Sequence, residues 1–84
     1  MKLLTFGSDW CSGCKSLKTN LKNLQIETED LDIDLHTQTF KKYEVKSLPT
    51  LLLLDNNGEV IQRLAGTQTI ATLQQIKERI ENND

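Results

Sequence analysis

Cysteine, proline, histidine and aromatic residues are all scarce in this chain: two cysteines, one proline, one histidine, one tryptophan, one tyrosine and two phenylalanines in 84 residues. Each scarcity excludes something. A disulfide between Cys11 and Cys14 would close too small a loop to constrain the unfolded chain, so a stapled scaffold is excluded. His36 alone, with no second cysteine pair, leaves a four-ligand zinc site incomplete, and Lys15 directly after Cys14 removes the pattern for c-type haem attachment. No apolar run approaches the length of a membrane span; the longest is Leu51 to Leu54. Met1 to Phe6 gives way to Asp9 before the core of a signal peptide could form. Ten basic and twelve acidic residues are scattered, with a net charge of −2 and no basic stripe, so nucleic acid is not an expected partner. Linkers, repeats and low-complexity stretches are also missing, which predicts one domain over residues 1–84. A chain of this size buries roughly 60–65% of its unfolded surface.

What is present is patterned. Lys2 to Phe6 reads as a short buried strand, followed by the loop Gly7-Ser8-Asp9. From Cys11, the spacing of Leu17, Leu21 and Leu24 predicts a helix to about Leu24 with Lys15, Lys18 and Lys22 outward. Ile26 to Asp34 reads as a strand at or near a sheet edge, and His36 to Tyr43 as a short helix with Phe40 inward. Thr50 to Leu54 is a strand, Asp55-Asn56-Asn57-Gly58 a turn, and Glu59 to Leu64 its hairpin partner. Thr69 is the expected N-cap of a last helix carrying Ile70, Leu73, Ile76 and Ile80, and the tail Glu81 to Asp84 is expected to fray. The order βαβαββα predicts an α/β fold, a four-stranded mixed sheet flanked by three helices on both faces. Its first two strands should be parallel neighbours.

The stretch Trp10-Cys11-Ser12-Gly13-Cys14 holds both cysteines and the only tryptophan. At the start of a helix, this spacing puts both sulfurs on one side of the first turn, where a disulfide can close. Unpaired N–H groups at the helix end stabilise a thiolate at Cys11. The residues therefore predict a reversible dithiol/disulfide pair, beyond the carboxyl end of the first strand where open α/β sheets place their sites. Without a targeting segment the chain is expected in the cytoplasm, where a surviving disulfide is transient and catalytic.

Phe6 through Lys15, Leu48-Pro49-Thr50 with the leucine run behind it, Asn57-Gly58-Glu59-Val60 and Ala65-Gly66 together resemble the thioredoxin/glutaredoxin superfamily, over nearly the whole chain. Without the N-terminal strand and helix of full-length thioredoxins, it is similar to the small thioredoxin-like proteins of phages and some microbes. The resemblance implies a protein-disulfide reductase with no tightly bound cofactor beyond its own Cys11–Cys14 couple. Cys11 would be the nucleophile and Cys14 the resolving thiol. Leu48–Pro49 would be a cis peptide facing the disulfide, and Trp10, Ser12, Gly13, Leu48, Pro49, Ala65 and Gly66 would receive substrate. Implied partners are protein disulfides, with ribonucleotide reductase an example, and thioredoxin reductase or glutathione as reductant. A monomer without membrane contact is expected.

Two departures stand out. Many thioredoxins have a buried Asp on the first strand and a Lys on the next; here those positions are Thr5 and Asp30. Either Thr5 orders a relay water, or Asp30 takes the base role. Between the cysteines stand Ser12-Gly13, where thioredoxins usually have Gly-Pro and glutaredoxins often Pro-Tyr, so neither group's potential transfers. Two alternatives remain at this level. One is a glutathione-coupled glutaredoxin, against which Trp10 and Ala65-Gly66-Thr67 argue. The other is a non-enzymatic binding module on the same fold. Blander readings make Trp10 a partly buried aromatic, Pro49 an ordinary trans loop residue and His36 a solvated helix start.

Overall fold

A computed structural model describes residues 1–82. Four strands and three helices follow in the order β1 (Lys2–Gly7), α1 (Ser12–Asn23), β2 (Glu29–Asp32), α2 (Thr37–Lys42), β3 (Thr50–Leu54), β4 (Val60–Ala65) and α3 (Ile70–Glu81). The sheet order is β2-β1-β3-β4, parallel between β1 and β2 and antiparallel elsewhere. This is the mixed α/β sheet that the residue patterns predict.

Strand β3 shows why the sheet is covered on both faces. All five of its residues are buried, and their side chains alternate between two cores. Leu51 and Leu53 join Leu3 of β1, Leu17 and Leu21 of α1, and Leu73 and Ile76 of α3. Leu52 and Leu54 join Leu4 and Phe6 of β1, Leu31 of β2 and Phe40 of α2. Phe6 is the hub of this second core, edge-on to Phe40 at 5.0 Å and to Tyr43 at 6.0 Å between ring centroids. A run of four leucines thus serves two faces at once.

Some boundaries differ from those the sequence suggests. Strand β2 covers only Glu29–Asp32. Ile26 is drawn back to α1, its N–H donating to the Leu21 carbonyl at 2.9 Å and its side chain joining the α1 core. At the other end Asp32 turns the chain, because its carboxylate accepts from the Asp34 amide and its carbonyl accepts from the amides of Leu35 and His36. Helices α1 and α2 stop one residue short of Leu24 and Tyr43, which act as caps, and the last strand starts at Val60. His36 does precede α2, but it is half-buried, with a buried Nδ1 that has no hydrogen-bond partner among the described residues. Glu81 remains within α3 and Asn82 caps it, while Asn83 and Asp84, at the end of the expected frayed tail, lie outside the described residues.

Candidate active site

Both cysteines meet where β1 runs into α1. Cys11 is the N-cap of α1, with extended backbone, and its Sγ accepts the Cys14 N–H at 3.2 Å. A cap acceptor at a helix N-terminus faces orphan amides and the positive end of the helix. Cys11 is half-buried; Cys14, one turn in, is buried at 2% exposure. Both are free thiols. Burial is the main cause that pushes the Cys14 thiol up from 9.0 to about 11, reinforced by its hydrogen bond with Cys11 and the neighbouring Cys11 charge. A Ser8 backbone hydrogen bond and the charge of Lys18 act in the opposite direction.

Close approach of β1 to the helix requires Gly7. A Cβ there would stand 2.9 Å from Cys14 Sγ, inside van der Waals contact. Thr5, two residues earlier on the same side of the strand, is also buried, and its hydroxyl hydrogen-bonds Asp30 directly across the parallel pair. Thr28 donates to the same carboxylate oxygen at 2.9 Å. Thr5 and Asp30, which the sequence suggests as alternatives, are therefore one hydrogen-bonded unit.

In front of Cys11 lies an open cleft of 780 Å³, floored by Cys11, Ser12 and Gly13 and walled by Leu48, Pro49 and Gly66, with Trp10 at its lip. Trp10 is 72% exposed, which argues against the reading of it as a partly buried aromatic. The Leu48–Pro49 peptide is cis. Pro49 is buried and its carbonyl accepts the Gly66 N–H at 2.7 Å, while the Thr50 hydroxyl donates to the Ser47 carbonyl at 2.8 Å and holds the preceding turn. Gly66 has φ +83°, a conformation open to glycine. A Cβ at Gly13 would come within 3.2 Å of Thr67 Cγ2 and 3.4 Å of Pro49 Cδ, so the segment between the cysteines packs tightly on the opposite wall.

Ala65 is exposed at the end of the last strand and is not among the residues lining the cleft. Ile33, Val45, Lys46, Ser47 and Thr67 do line it, although sequence reasoning did not single them out as rim residues. Ile33 stands just past the end of β2, where the hydrogen bond from its N–H to the Gly7 carbonyl at 2.9 Å holds it beside the cysteine loop. That tertiary bond has no local sequence signal. A separate cavity of 430 Å³, lined among others by Met1, Gln25, Ile26 and Lys77, contains neither cysteine. Among the described residues, no group of three or more His, Cys, Asp or Glu could hold a metal ion.

Similarity to known proteins points to one family. The sequence profile described as Thioredoxin matches residues 1–79. A thioredoxin of Bacillus subtilis is 35% identical over 80 residues, spanning 88% of this chain and 76% of that protein. In structure the chain is similar to thioredoxin 1 of Thermosipho africanus, at 29% identity and a TM-score of 0.74 with 96% of each chain covered. It is also similar to oxidised mitochondrial thioredoxin 3 of Saccharomyces cerevisiae, at 26% identity and a TM-score of 0.76, covering 90% of this chain and 76% of the other. By profile, sequence and fold the chain belongs to the thioredoxin family, and it is a protein-disulfide oxidoreductase.

Proposed function

We propose that this chain reduces protein disulfides through a Cys11–Cys14 dithiol, with Cys11 attacking first. The observation that carries the reading is the hydrogen bond from the Cys14 amide to Cys11 Sγ, at the floor of an open cleft. A thiolate held there attacks one sulfur of the substrate disulfide, forms the mixed disulfide, and releases the other substrate sulfur as a thiolate. Cys14 then gives up its proton and attacks Cys11 Sγ, releasing the second substrate thiolate and leaving the Cys11–Cys14 disulfide. Trp10, Ser12, Gly13, Leu48, Pro49 and Gly66 form the surface on which an extended substrate segment lies, its backbone pairing beside Leu48.

Burial makes the proton of Cys14 hard to remove, and the Thr5–Asp30 unit is the proposed acceptor, reached through water along the shared face of the sheet. Two electrons from a thioredoxin reductase, or from glutathione, return the couple to its reduced form. The natural recipients are enzymes whose own cysteines must be re-reduced at each turnover, such as ribonucleotide reductase, within the cytoplasm. The test is insulin reduction driven by a small dithiol. Wild type should accelerate precipitation of the insulin B chain, and Cys11→Ser should fall to the uncatalysed background; a Cys11→Ser protein as fast as wild type overturns the reading.

A further inference from the structure

Among the described residues Lys46 is the one charged residue lining the Cys11 cleft; the other walls are apolar, hydroxylic or glycine. It also borders a second cavity of 290 Å³, which shares Phe40, Val45 and Lys46 with the cleft and adds Lys41 and Glu44. The cleft therefore continues at this end onto a surface with two lysines to one carboxylate. Among the described residues neither lysine has a carboxylate within ion-pair distance, the one such pair being Lys2 with Glu29 far along the sheet. A cleft that is apolar over the reactive sulfur and cationic at one end favours a chain with an acidic group at that end.

We propose that Lys46 selects protein substrates that carry an acidic side chain close to the cysteine under attack. The inference rests on the dithiol reading above and names the substrate class for that site. Lys46 lies two residues before Leu48, in the segment that leads into the cis peptide, and lines the same cleft as Cys11. An acidic side chain carried near a substrate cysteine over Cys11 meets that ammonium. The bond formed joins Cys11 Sγ to the substrate sulfur, and the bond broken is the substrate disulfide, whose other sulfur leaves with the electron pair. Lys46 touches neither sulfur. It acts on encounter and orientation and fades with salt.

The experiment uses short extended peptides with a single cysteine, held as a mixed disulfide with uncharged 2-thiopyridine, and Glu, Gln or Lys placed two residues before or after that cysteine. Thiopyridone release by the reduced protein is followed in single turnover. Wild type should react about 2- to 5-fold faster with Glu than with Lys in one of the two placements, the range expected of an exposed ion pair. Lys46→Arg should keep that ratio, Lys46→Ala should bring it toward unity, Lys46→Glu should invert it, and high salt should erase it. Equal rates for Glu and Lys peptides in both placements overturn charge selection, as does a ratio that survives Lys46→Glu. If the ratio is unity while release still depends on Cys11, charge selection fails and the dithiol reading stands; release undiminished in Cys11→Ser overturns both.

Discussion

Asp30 shows how much a single residue's meaning depends on its neighbours. In sequence it is one acid among several in an edge strand; in the fold its carboxylate accepts hydrogen bonds from Thr5, buried on the face beneath α1, and from Thr28. If that carboxylate draws the proton from Cys14, Asp30→Asn should slow resolution of a Cys11 mixed disulfide by about 10-fold or more at neutral pH, a modest share of what general base catalysis supplies. The deficit should shrink as pH rises and free hydroxide substitutes. Stopped-flow tryptophan fluorescence of Trp10 across a pH series reads this, and a profile that superimposes on wild type assigns the proton to another acceptor. At this scale Cys11 and Cys14 are legible in the sequence because their relation is set inside one helical turn. Ile33 and Lys46 are not, because each reaches the cleft through a segment that only the folded sheet brings near.

Helices α1 and α2 both end in the same way, and both ends are unusual in composition. After α1, the amide of Gln25 bonds the Lys22 carbonyl at 3.0 Å and that of Ile26 bonds Leu21 at 2.9 Å; after α2, Glu44 bonds Lys41 at 3.1 Å and Val45 bonds Phe40 at 2.9 Å. These are Schellman closures, each with an apolar residue folded back onto the last turn. The left-handed position, usually glycine, is Gln25 at φ 58° in one and Glu44 at φ 54° in the other. A side chain in that region costs about 1–2 kcal/mol relative to glycine, partly offset by the greater freedom glycine has when unfolded. Gln25→Gly should therefore stabilise the chain by about 0.5–1 kcal/mol, seen as a higher urea midpoint with an unchanged slope; a lower midpoint would show that Gln25 is relaxed in place. The absence of glycine also explains why the sequence suggests a strand from Ile26. Nothing marks the helix exit, so the apolar Ile26 reads as the start of the next element. Thr69 before α3 shows the contrary case: its hydroxyl accepts the Thr72 N–H at 3.1 Å, and a cap residue of the expected type makes that boundary readable.

Across the whole molecule, the fold is legible because its central strand is almost pure leucine and its hairpin turn carries its own chemistry. Asp55 accepts from the amides of Asn57 and Glu59, and Gly58 takes φ +84°. The cysteine pair is then built into the stability of the domain. Folding buries Cys14 and favours its neutral thiol, so its folded pKa is raised from 9.0 to about 11. A raised pKa means the unfolded chain loses this proton first. The contribution to stability is fully present below about pH 9 and is lost as pH rises through about 11, by up to about 2–3 kcal/mol at 1.36 kcal/mol per pH unit. Lysine and tyrosine side chains titrate in the same range, so the informative quantity is the difference between wild type, kept reduced, and Cys14→Ala, which shares every other group. Urea midpoints compared at pH 8 and at pH 10.5 should converge, the advantage of wild type shrinking with pH. Oxidising Cys11 to Cys14 removes the titrating thiol and should flatten the dependence in the same way. A difference that stays constant between those two pH values would mean that Cys14 loses its proton as easily folded as unfolded.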